Sequence, residues 1–199
     1  SRTARYGIAF AEALLRENPN QSAKRALGLF DLIIERAWSP DDINLAKRGR
    51  LQSLIALGEL ETAVEEAQRL AAETEDPELL IEVKFLLAES DFQQLEQLLA
   101  DNPRWEEDDE IRPEIETLYH EVLDQYLWAH LFHATRAESA ARGLLGASSV
   151  YLAWDDSESA RSACEDLLSL YPKTTFAEAA RERLETLVTE STPTSKDTL

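Results

Sequence analysis

Apolar residues recur at helical spacing along nearly the whole chain, and the breaks between periodic stretches carry the residues that start and stop helices. Residues 4 to 17 place Tyr6, Ala9, Phe10, Ala13 and Leu14 on one stripe and end at Asn18-Pro19. A second helix is expected from Ser22 to Ala37, with Ala26, Phe30 and Ile33 facing inward. Ser39-Pro40-Asp41-Asp42 then supplies an N-cap, a proline at the first helical position and acid in the first turn. All three suit the free backbone N–H groups of a helix start, here the helix of residues 40 to 57. Gly58 closes it, and Ala63, Ala67 and Leu70 stripe the next. Asp76-Pro77 opens another helix, and Ser90 with Gln93 predicts a capping box for a separate short one that ends at Asn102-Pro103. Residues 105 to 110 form an acidic connection, and Pro113 opens a long helix to His133. Thr135 with Glu138, Asp156 or Ser157, and Thr175 with Glu178 mark the last three starts. Beyond residue 191 apolar residues all but vanish, which predicts a disordered tail over 191–199.

In the last third, Leu144, Ala147, Ser148 and Tyr151 are followed by Ala160, Cys164, Leu167 and Pro172. This spacing resembles the tetratricopeptide repeat, whose paired helices recur with a period of about 34 residues. The run Leu57-Gly58-Glu59-Leu60-Glu61-Thr62-Ala63-Val64-Glu65-Glu66-Ala67 looks like the turn and second helix of such a unit, although Lys47 and Leu51 stand where a large aromatic and a small residue are usual. Ala26 to Ala63 spans 37 residues, near the family period, whereas Ala63 to Ala160 spans 97 and fits no whole number of repeats. Tyr171-Pro172-Lys173-Thr174-Thr175-Phe176, followed by Ala179, Ala180 and Leu184, is similar to repeat junctions of bacterial envelope tetratricopeptide proteins such as outer-membrane assembly lipoproteins. The resemblance implies an all-α solenoid of antiparallel helix pairs, about ten helices in all. One domain over 1–190 is expected, with regular repeats near 4–75 and 136–190 and an irregular middle over 76–135.

Charge narrows the partners. With 39 acidic against 20 basic residues the net charge is −19, which disfavours nucleic acid and anionic membrane surfaces. The acidity serves solubility or offers a docking surface to a basic partner. A single cysteine, Cys164, excludes an intrachain disulfide and stands at an apolar repeat position. No stretch has the roughly 18 to 20 apolar residues of a membrane span, so no direct membrane insertion is expected. The chain starts at Ser1 and has no Met, so we expect an initiator upstream and leave room for a removed leader or anchor. A bacterial periplasmic or membrane-tethered location is the expectation, with a cytoplasmic one as the alternative.

The resemblance also implies that the first helix of each pair lines the partner-binding face. That assigns Leu45, Arg48, Gln52 and Ile55 from one repeat and Arg142, Leu145, Ser149 and Leu152 from another. Arg48 and Arg142 suit bidentate binding of a carboxylate, or pair with some of the abundant acids. Tyr126 to Phe132 is the most apolar run, either central to the fold or offering Trp128 and Phe132 to a partner as anchors. His130 and His133, three apart, suit one face of a metal site with Glu121 or Asp124, but no second half of the constellation is visible, so no metal and no cofactor are expected. Carboxylates are spread along helix faces, and no nucleophile stands beside a base, so the chain is expected to be non-catalytic. The expected function is a protein or peptide-binding scaffold or adaptor. The alternative is a small-ligand-binding accessory protein of a transport system, with a pocket around Tyr126 and Trp128.

Overall fold

The computed structural model describes residues 2–37 and 39–190, so Trp38 and the expected tail lie outside the described residues. These residues are helical throughout apart from short connections. The helices are α1 (Arg2–Glu17), α2 (Pro19–Arg36), α3 (Pro40–Leu57), α4 (Leu60–Glu73), α5 (Pro77–Asp101), α6 (Arg112–Phe132), α7 (Ala137–Ala153), α8 (Ser157–Leu170) and α9 (Ala177–Glu190), with one 3-10 turn at Trp105–Glu107. Packing runs mainly between neighbours in sequence, α1 on α2, α2 on α3, α6 on α7, α7 on α8 and α8 on α9, as short connections between antiparallel helices require. The result is an all-α fold consistent with a helical solenoid.

The chain divides into two compact units, Ser1–Leu87 and Ala88–Leu199, with the division inside α5. In the first, Ile8 and Ala11 of α1, Ala26, Phe30 and Ile33 of α2, and Ala46 of α3 share one core. Leu51 and Leu54 of α3, Ala63, Ala67 and Leu70 of α4, and Leu79, Val83, Leu86 and Leu87 of α5 share another. In the second unit, Ala140, Ala141 and Leu144 of α7 pack with Cys164 and Leu167 of α8 and Ala177 and Ala180 of α9. The alanines at i and i+4 let helices approach closely while the leucines fill the space on either side.

Local corrections follow where tertiary packing outweighs a short motif. No break occurs at Ser90: α5 runs on, because Phe85 to Ala88 and Leu95 are buried on one continuous helix and nothing between them stops it. The stripe Tyr6, Ala9, Phe10 is not the core face of α1, since Ile8 and Ala11 are buried while Tyr6 is 76% and Phe10 47% exposed. Thr135 and Glu138 form no capping box: α7 starts after Arg136, and the Glu138 carboxylate instead accepts hydrogen bonds from the Thr175 backbone N–H (3.2 Å) and hydroxyl (2.8 Å). Helix α9 starts at Ala177, two residues past Thr175, and Glu178 pairs with Arg181 (2.6 Å). Ser39 holds the N-cap position of α3 without a side-chain cap bond. Asp156 does cap α8, accepting from the Ser159 N–H at 2.9 Å.

Gly58 ends α3 in the left-handed region (φ 76°), the ordinary way for glycine to close a helix. Asp155 takes the same conformation after α7 (φ 60°).

Candidate functional site

Three helices of the first unit set the walls of a groove. Glu12, Leu15 and Arg16 come from α1, Arg48 and Gln52 from α3, and Glu82 from α5, around a cavity of about 460 Å³. A smaller cavity of about 170 Å³ adjoins at Arg48, where Asp41, Asn44 and Leu45 of α3 meet Asp76, Glu78 and Leu79 at the start of α5. Positions four apart on one face of α3 (Asn44, Arg48, Gln52) supply its floor, as helical periodicity dictates.

Arg48 is the centre of this surface. Its guanidinium donates to Glu78 (3.3 Å) and approaches Glu12 (4.0 Å), so it ties α3 to both flanking helices. On the far side of α3, Arg50 donates to Asp31 of α2 (2.7 Å) and pairs with Glu66 of α4. Asp76 organises the rim: its carboxylate accepts from the backbone N–H groups of Glu78 and Leu79 (both 2.9 Å), capping α5, and from the Asn44 amide (3.2 Å). Gln52 is exposed and open to the groove. Ile55, 40% exposed, lies one turn further along α3.

The counterpart residues of the second unit are more engaged. Arg142 donates to Glu89 at 2.7 Å. Ser148 and Ser149 accept from Arg183 of α9, the latter at 2.9 Å, and the same guanidinium donates to the Leu145 carbonyl at 2.8 Å. Leu152 and Leu145 are half-buried. Beneath them Tyr126 is buried against Gly146, where even a Cβ would collide with its ring, so the ring fills the space around it. Burial, with Glu89 nearby, pushes its phenol up to about 12 against the opposing pull of Arg142. Burial likewise raises the Cys164 thiol, which suits a packed side chain.

The apolar run of α6 divides by face. Tyr126 and Ala129 point inward, Trp128 is half-buried, and Leu131 and Phe132 are 63% and 67% exposed. His130 meets the Tyr171 hydroxyl at 3.0 Å, whereas His133 packs on the Trp128 ring at 4.6 Å, so the two histidines serve different neighbours. Among the described residues no group of three or more His, Cys, Asp or Glu is placed to hold a metal ion, and no helix is long and apolar enough to cross a membrane.

The tetratricopeptide resemblance pointed to Leu45, Arg48 and Gln52, which share one helix and line these two cavities. It missed Glu12, Leu15, Arg16 and Glu82, the other walls, and Arg183, which belong to separate helices. The chain matches no protein-family model and no curated protein.

Proposed function

We propose that the chain is a non-catalytic binding scaffold whose partner, a peptide or an extended segment of a protein, lies in the groove of the first unit. The observation that carries this reading is the alignment of Arg16, Arg48, Gln52 and Glu82 from the alternate helices α1, α3 and α5 around one open cavity of about 460 Å³. Its polar groups are spread along the groove and do not converge on a point, which suits gripping a chain more than turning over a substrate. Arg48 is held from both sides by Glu12 and Glu78, so its position is fixed before a partner arrives. The tetratricopeptide resemblance of α3–α4 and α7–α8 supports the same reading, and the similarity of the Tyr171 to Leu184 junction to bacterial envelope repeat proteins favours a place in a bacterial cell envelope.

Selection of peptides from a random display library against the whole chain tests the proposal. Binders recovered on the wild-type chain are expected to lose at least tenfold in affinity on Gln52→Trp, which fills the groove at an exposed position. Binders equally tight on Gln52→Trp place the partner elsewhere and sink it.

A further inference from the structure

Helix α1 is apolar on two opposite faces. Ile8 and Ala11 fill the core, while Tyr6, Ala9 and Phe10 on the other side are exposed. A helix with two apolar faces is one meant to be covered twice. The outer face is also basic in an acidic protein. Arg2 and Arg5 flank Tyr6, Lys24 is exposed on α2, and the Arg25 guanidinium sits over the Phe10 ring at 5.4 Å. Over residues 2–25 basic side chains outnumber acidic ones, although the whole chain carries 39 acids to 20 bases.

The second unit offers the complementary surface. The outer stripe of α6 runs Glu121, Asp124, Trp128, Leu131, at helical spacings of three and four, with Phe132 beside it. Both acids are exposed, and Leu131 and Phe132 are the most exposed large apolar side chains among the described residues of that unit. One surface is thus aromatic and basic, the other aromatic and acidic. Aromatic anchors ringed by opposite charge are what a specific interface requires.

We propose that a second copy of this chain covers α1, docking the outer stripe of its α6 on Tyr6 and Phe10 with Glu121 and Asp124 facing Arg2, Lys24 and Arg25. This surface is separate from the groove and does not depend on it. The pairing is heterologous, so each copy carries one of each surface. It closes into a dimer where two copies exchange both contacts and otherwise continues as a chain of copies.

Sedimentation velocity of the full chain over a range of concentrations and salt tests this. Self-association is expected, stronger at low salt because the charged rim is screened as salt rises. An Arg2→Glu, Lys24→Glu variant and a Glu121→Lys, Asp124→Lys variant are each expected to associate about tenfold more weakly or worse. Mixing the two restores association, since each supplies the charge the other has lost. Tyr6→Ala and Leu131→Ala weaken it without altering its salt dependence. Circular dichroism of each variant confirms a folded chain, as all these positions are exposed. A chain that stays monomeric at every concentration overturns the proposal, as does association that ignores charge reversal or is not restored by mixing. Wild-type self-association in Gln52→Trp separates this surface from the groove.

Discussion

The α3–α4 pair and the α7–α8 pair are the same frame built twice with different chemistry. Helix α8 (Ser157–Leu170) begins and ends 97 residues after α4 (Leu60–Glu73), and the positive-φ residues Gly58 and Asp155 are separated by the same interval. So are Gly49 and Gly146, each lying under an aromatic ring of the preceding helix, Phe30 and Tyr126, with no room for a Cβ. Ala63, Ala67 and Leu70 are matched by Ala160, Cys164 and Leu167, all six fully buried. The buried side decides the frame, and it is kept. The open side differs. In the second unit Arg183 reaches from α9 across α7 to Leu145 and Ser149, whereas its counterpart 97 residues earlier is Leu86, buried in the core. In the first unit the Leu145 and Ser149 positions are held by Arg48, which bridges to Glu78 and Glu12, and by Gln52, which is exposed to the open groove.

Disturbing the shared frame has the largest effect. Leu70→Ala and Leu167→Ala each remove a fully buried side chain and are expected to cost about 3 kcal/mol in denaturant unfolding. Next come Gly49→Ala and Gly146→Ala, which force Phe30 or Tyr126 aside and are expected to cost about 2 kcal/mol. Equal losses in each pair confirm the equivalence of the two units; a loss confined to one member breaks it.

The helix-closing residues sharpen the comparison through opposite signs. Gly58→Ala puts a Cβ into the left-handed region and lowers stability by about 1 kcal/mol, while Asp155→Gly relieves the same strain and is neutral or stabilising. Thermal unfolding of the two variants reads both signs.

Acid separates the units again. Hydrogen bonds from Ser159 hold the Asp156 carboxyl below the usual carboxylate range. Its folded pKa is therefore lower than its unfolded one, so its contribution is present above the unfolded value and is lost as pH falls through the folded value. The α4 counterpart, Glu59, makes no side-chain cap bond. Asp156→Ala is expected to cost about 1 kcal/mol near neutral pH and to flatten the acid dependence, read from stability curves between neutral and acidic pH. Smallest are Arg48→Ala and Arg142→Ala, whose half-exposed ion pairs are each expected to contribute under about 1 kcal/mol.

Much of the frame was legible in the pattern of residues. The bounds of α3, the Gly58 closure, the Asp156 cap and the buried stripes of α2, α4 and α8 all follow from local rules, because caps and close helix approach are decided within a few residues. Where a local motif faced a competing long-range partner, it lost. Glu138 left its own helix start for Thr175, and Ser90 was carried through by the buried run around it. Of the residues around the groove, the tetratricopeptide resemblance pointed only to those of α3, since Glu12 and Glu82 are placed by packing and by nothing in their own neighbourhood.

Local residue patterns suffice to make the chain helical, to set where most helices begin and end, and to supply the small residues that let them approach. These depend on backbone hydrogen bonding and side-chain size, which act over a turn or two. Long-range packing settles which of the two apolar faces of α1 is buried, which arginine spans which helices, and where a groove stays open. Those outcomes rest on contacts between residues tens of positions apart, and periodicity within one helix fixes the angle of a side chain about its axis but not what stands opposite.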